Sequence, residues 1–218
     1  MHIHTISDPA ELATQLATRI ITSLPSHKKG VLLLSGGSCV PFEVALSLLL
    51  PDMKNLHVTL VDERFGKASH PDSNWTQLAE VGFDFDKFSS HPILLADANA
   101  NAVTKNADTL LRSLLSESHY TIAILGMGLD THTAGLLPHS PALHSDDFYT
   151  FYETQQYHRL TMTPHVFNQI DYALVYTAGE DKRTLLETVV AAGTIEDQPI
   201  QLIQQCRQFD IYNVVKES

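Results

Sequence analysis

Gly30-Val-Leu-Leu-Leu-Ser35-Gly36-Gly37-Ser38, with the run from Pro41 to Leu50 behind it, is the stretch that decides the fold class. Val31 to Leu34 are apolar without alternation, as expected of a strand buried on both faces of a parallel sheet. Two glycines break that strand, and Pro41 opens a helical run. The same strand-then-loop unit recurs twice. Residues 57–61 form an apolar strand ending in Asp62-Glu63-Arg64, and residues 121–125 run into Gly126-Met127-Gly128. Between them, residues 99–117 carry Leu110, Leu111, Leu114 and Leu115 on one face of a long helix.

Working outward, residues 3–6 predict a short strand. Ser7-Asp8-Pro9 then caps a helix whose apolar face holds Leu12, Ala13, Leu16, Ala17, Ile20, Ile21 and Leu24. On the other side, residues 148–153, 159–162 and 171–177 predict strands and residues 180–192 a helix. Residues 199–206 read as helical and residues 209–215 as a closing strand. Strands alternating with crossover helices imply an α/β fold, a mainly parallel sheet with helices on both faces. The 218 residues are expected to form one domain, 1–218, long enough to bury a core without disulfides.

Composition removes several functions. Net charge is −11, with 14 basic and 25 acidic residues, which argues against nucleic acid as a partner. Residues 31–34 are too short an apolar run to span a membrane. The N-terminus lacks the basic-then-apolar pattern of a signal peptide, so a cytoplasmic location is expected. Cys39 and Cys206 have no metal-ligand or disulfide spacing and read as buried, reduced thiols. The 12 histidines are scattered without HExxH or HxxxH spacing on a predicted helix, so no metal is expected.

In parallel sheets ligands bind beyond the carboxyl ends of the strands, and here those ends carry the chemistry. Ser35-Gly36-Gly37-Ser38 offers backbone N–H groups at a helix start, suited to an anion, but matches neither a Walker loop nor GxGxxG. Asp62-Glu63-Arg64, with Ser73-Asn74 downstream, reads as a charged rim or as a site. Gly126-Met-Gly-Leu-Asp130-Thr-His132-Thr-Ala-Gly-Leu-Leu-Pro138 is the most specific segment. It places His132 where a base is wanted and Asp130 near enough to orient it, with a short apolar helix expected after His132 and stopped by Pro138. Arg159-Leu-Thr-Met-Thr-Pro164 and Gly179-Glu-Asp-Lys182 follow. Lys182 falls in the first turn of a helix, where the dipole disfavours a cation unless it serves an anion.

In this order and spacing the segments, from about Leu32 to Lys182, resemble the 6-phosphogluconolactonase family, which shares its fold with glucosamine-6-phosphate deaminases. The resemblance implies a nagB/RpiA/CoA-transferase-like fold. It also implies hydrolysis of 6-phospho-D-glucono-1,5-lactone to 6-phosphogluconate in the oxidative pentose phosphate pathway, without metal or cofactor. His132 matches the family's catalytic histidine, Arg64 and Lys182 match its phosphate-holding cations, and Gly36 and Gly37 match the loop beside the sugar. Ser35, Ser38, Asp62, Asn74 and Arg159 occupy further motif positions assigned to substrate, and Asp130 is grouped with catalysis. The expected partner is a small phosphorylated sugar lactone, with the chain a monomer or homodimer. Two positions depart from the family pattern: Thr131 replaces a glycine and Gly135 a serine. The alternatives on the same fold are a sugar-phosphate isomerase or deaminase and a non-catalytic sugar-phosphate sensor. The first needs an extra carboxylate after the histidine, and Thr133-Ala-Gly-Leu-Leu-Pro138 supplies none.

Overall fold

The computed structural model describes residues 3–96, 98–189 and 193–215. All five residues of β2 (Gly30–Leu34) are buried, as the unbroken apolar run requires. The strand pairs in parallel with β3 (Met53–Leu60) on one side and β6 (Tyr120–Leu125) on the other. Outside β3 lies β5 (Phe88–Ser90). Outside β6 come β9 (Tyr172–Ala178), β10 (Phe209–Val214) and β1 (Ile3–Ile6), so the order is β1-β10-β9-β6-β2-β3-β5. Every pairing in this seven-stranded sheet is parallel.

The helices follow from the direction of travel. α1 (Pro9–Ser23) and α2 (Val40–Leu49) lie on crossovers moving one way along the sheet and pack on each other; α3 (Asn74–Val81) packs on α2. α4 (Ala100–Glu117) and α6 (Glu180–Val189) lie on crossovers moving the other way, which right-handed connections place on the opposite face. α1 starts where expected, with Asp8 accepting the Ala10 N–H at 2.8 Å. Its buried stripe is Leu12, Ala13, Leu16, Ala17 and Ile20, whereas Ile21 is 45% exposed and falls outside it.

Four features differ from the sequence reading. The charged triplet Asp62-Glu63-Arg64 is itself a strand, β4, which pairs antiparallel with β8 (His158–Met162). β8 in turn pairs with β7 (Tyr149–Glu153), making a second, three-stranded sheet. The short β5 went unread, as did α5 (Pro164–Phe167), a single helical turn after β8. The short helix expected after His132 is absent. Residues 133–136 form a tight turn closed by Leu136 N–H to Thr133 O at 3.0 Å, because Ala134 takes a positive φ of 50° and Thr161 of β8 captures the Gly135 N–H. Residues 199–205 are a 3₁₀ helix, and residues 190–192 of the expected last α-helix lie outside the described residues. No helix among the described residues is long and apolar enough to cross a membrane.

Candidate active site

From β2 the chain moves outward to β3 and β5, then returns to β6 on β2's other side. The loops leaving β2 and β6 therefore diverge and open a crevice at the carboxyl edge. Strands β9, β6, β2 and β3 are consecutive neighbours that end on that edge. They deliver, in order, Lys182, the His132 loop, the Ser35 loop and the Asp62 strand. One cavity of about 260 Å³ is lined by Ser35, Gly36, Gly37, Ser38, Asp62, Arg64, Asn74, His132, Arg159 and Lys182, with Gly126, Met127, Gly128 and Ala134. Of the residues assigned from sequence to catalysis or substrate, Asp130 alone stands outside the lining, and its carboxylate reaches the site through His132.

The His132 loop is closed on itself. Thr133 Oγ1 donates to Gly126 O at 3.0 Å, Gly128 N–H donates to His132 O at 3.0 Å, and Thr131 N–H donates to Gly128 O at 3.0 Å. Inside it, His132 Nδ1 lies 2.5 Å from Asp130 Oδ1. That bond to the imidazole holds the Asp130 carboxyl below the usual carboxylate range. With Nδ1 so engaged, Nε2 is the nitrogen left to act on a ligand. Gly128 is dictated by close approach: a Cβ there would fall on the imidazole and 2.5 Å from Asp130 Oδ1.

Period-two alternation divides the triplet on β4. Asp62 and Arg64 face the cavity, while buried Glu63 turns away and holds the start of α3, accepting from Ser73 Oγ at 2.8 Å, Asn74 N at 2.8 Å and Trp75 N at 3.2 Å. Burial raises the Glu63 carboxyl despite these donors. Asp62 is 7% exposed; burial pushes its carboxyl up to about 6, against the pull of Arg159, whose Nη1 lies 3.7 Å from Asp62 Oδ2. Arg64 stands directly across the ladder from Arg159. It is steadied by Asp72 O at 2.8 Å and by the Tyr157 ring, 5.0 Å from its guanidinium carbon. Lys182 Nζ has no hydrogen-bond or ion-pair partner among the described residues.

Two side chains at the site are structural. The Ser35 hydroxyl donates to Ile124 O at 2.9 Å and accepts from Gly126 N at 3.3 Å, which ties the ends of β2 and β6 together. Asn74 Nδ2 donates to Asp62 O at 3.0 Å. Sequence reasoning missed Glu43. This residue of α2 is fully buried and accepts the N–H groups of Ser35 at 2.7 Å and Gly36 at 3.0 Å. Its signal was present, as the lone charge in the apolar run from Pro41 to Leu50.

The sequence profile of the family described as glucosamine-6-phosphate isomerases/6-phosphogluconolactonase matches residues 7–212. The chain belongs to that family. A 6-phosphogluconolactonase from Synechocystis sp. is 29% identical over 201 residues, covering 87% of this chain and 83% of the relative. The crystal structure of a 6-phosphogluconolactonase from Shewanella baltica shares the fold, with a TM-score of 0.80 at 20% identity over 97% of each chain. A monomeric glucosamine-6-phosphate deaminase of the NagB superfamily also shares it, with a TM-score of 0.75 at 16% identity over 100% of this chain and 98% of that one.

The two departures from the family pattern have different physical meanings. Gly135 does not loosen a helix, since none forms there. Instead a Cβ at this position would sit 2.8 Å from Thr161 Cβ, so the glycine lets the turn dock on β8, and Tyr152 Oη from the neighbouring β7 donates to Gly135 O. Thr131 does adopt the left-handed backbone that a glycine would favour, at φ 69°. Its Oγ1 donates to Asp197 O at 3.3 Å, and its carbonyl accepts Ile200 N–H at 3.1 Å. Left-handed backbone costs an L-residue roughly 1–2 kcal/mol. The hydroxyl bond returns about 1 kcal/mol, and a glycine would add about 0.4–1 kcal/mol of unfolded-state freedom. Thr131→Gly is therefore expected to melt close to wild type, with turnover unchanged or raised. Thr131→Val keeps the strain and loses the bond, so it melts lower than the glycine variant. A large loss of kcat in folded Thr131→Gly would show instead that the hydroxyl works in the reaction.

Proposed function

We propose that this chain hydrolyses 6-phospho-D-glucono-1,5-lactone to 6-phosphogluconate, with His132 activating the water. The observation that carries the reading is the His132–Asp130 pair set into a cavity with three cations, Arg64, Arg159 and Lys182. Its relatives support the same activity, being 6-phosphogluconolactonases by name.

A lactone is an activated ester, so hydrolysis needs a water, a base and donors for the developing oxyanion. His132 Nε2 takes a proton from water as its oxygen bonds to C1. Asp130 stays ionised and steadies the imidazolium. When the C1–O5 bond breaks, the imidazolium returns its proton to O5, and the product is the open hydroxy acid. Carbon keeps its oxidation state throughout, so no electron acceptor enters the balance. Arg64 and Lys182 hold the 6-phosphate, which fixes the carbonyl over His132. Ser35, Gly36, Gly37, Ser38, Asp62, Asn74 and Arg159 shape the remainder of the sugar site. The working location is the cytosol.

Coupled turnover of freshly generated lactone, corrected for spontaneous hydrolysis, tests the reading. A rate above the spontaneous one and proportional to enzyme is expected. No acceleration, or release of ammonia from glucosamine 6-phosphate in its place, would overturn it.

A further inference from the structure

We propose that Glu43 is a positioning residue for this reaction: its carboxyl group fixes Ser35 and Gly36 from behind the loop, so that the next two N–H groups, those of Gly37 and Ser38, are presented to a substrate oxygen in the cavity. The inference rests on the lactonase reading and adds to it a residue remote from the substrate.

The geometry is specific. The two oxygens of Glu43 divide the work, Oε1 taking the Ser35 N–H at 2.7 Å and Oε2 the Gly36 N–H at 3.0 Å. Gly36 then turns with φ 78° and Gly37 with φ 56°, and Gly37–Cys39 forms a single 3₁₀ turn leading into α2. As the first residues of that turn, Gly37 and Ser38 have no acceptor for their N–H groups among the described residues, and both line the cavity. A Cβ on Gly37 would meet nothing within 4 Å, so this side of the loop opens onto free space. Ser35 Oγ meanwhile binds Ile124 O and Gly126 N, which sets the loop against the strand end that carries His132. Glu43 on one side and β6 on the other hold the loop from both ends.

The choice of residue argues in the same direction. Glu43 is fully buried beside Phe42 and Leu46, where a carboxylate is costly to ionise. Burial raises the carboxyl to about 7 against the pull of the Ser35 and Gly36 N–H groups, and a site that needed only an apolar filler would not keep an acid there. An acceptor for two adjacent backbone donors does need a carboxylate, because a carboxamide turns a donor toward one of them.

Glu43→Gln tests the inference. kcat/KM on the phosphorylated lactone is expected to fall about tenfold or more, because the loop that meets the substrate loses its support. Amide hydrogen exchange at Ser35 and Gly36 should accelerate while the amides of β2 stay protected, with the melting temperature lowered by only a few degrees. A kcat/KM within twofold of wild type overturns the proposal. If the variant does not fold, exchange in the wild-type protein decides: Ser35 and Gly36 amides as fast as exposed ones would show that Glu43 holds nothing. That exchange measurement needs no substrate. A wild-type chain with no lactonase activity but protected amides would therefore sink the reaction and leave the Glu43 clamp standing.

Discussion

His132→Asn lowers kcat by roughly 10²–10⁴, the usual worth of a positioned base, while leaving the fold in place. The fold should survive because the ring is about 29% exposed and packs over a glycine, and Asn can still donate to Asp130. The loop around it is closed by main-chain bonds and by Thr133, none of which involves the imidazole. Catalysis should not survive, because an amide offers no basic nitrogen to the water. The split between the kinetic constants separates this role from simple packing: kcat should fall while KM stays within a few-fold of wild type. The Asp130 carboxyl, held below the usual range by its bond to His132, remains as the acceptor for the asparagine amide. Turnover of the variant within a few-fold of wild type would overturn the assignment. Asp62 would then be the next base to test, since burial brings its carboxyl up to about 6.

The parallel sheet was legible because its strands are apolar on both faces, a pattern that survives without knowledge of neighbours. Residues 31–34 and 121–125 needed no partner to be recognised. The cavity was legible for a related reason: parallel strands all end on one edge, so the chemistry at their ends has to converge. What escaped reading depended on contacts distant in sequence. Asp62–Arg64 looks like a solvated rim until Arg159 and Thr161 are placed opposite it. The turn after His132 looks helical until Thr161, 26 residues away, takes the Gly135 N–H. Glu43 looks like one polar position on a helix until Ser35 and Gly36 are folded onto it. Glu63 shows the converse. Read as part of a charged motif, it serves the helix start at Asn74 and not the cavity.

Lys182→Ala is expected to raise KM for the phosphorylated lactone by about 10- to 150-fold, the equivalent of one charge-assisted bond of roughly 1.5–3 kcal/mol. Lys182 is the cleaner probe of the phosphate site, because its ammonium has no protein partner among the described residues and its removal breaks no bond in the free protein. It lies in the first turn of α6, where the helix dipole opposes it. Arg64 and Arg159 add to the argument, being like charges directly opposed across a strand pair, an arrangement that disfavours the free protein unless an anion shares them. Asp62 offsets part of that repulsion through Arg159, which leaves Arg64 and Lys182 as the cations available to a phosphate. Arg64→Ala should raise KM to a similar extent, with a larger loss of stability, because Arg64 also binds Asp72 O and the Tyr157 ring. Both variants should keep KM for unphosphorylated gluconolactone within a few-fold of wild type, since that substrate has nothing for these cations to hold. Steady-state kinetics on the two lactones side by side makes the comparison. Equal losses on both would show that Lys182 and Arg64 shape the cavity as a whole, and the phosphate would have to be placed elsewhere, with Arg159 the cation left to hold it.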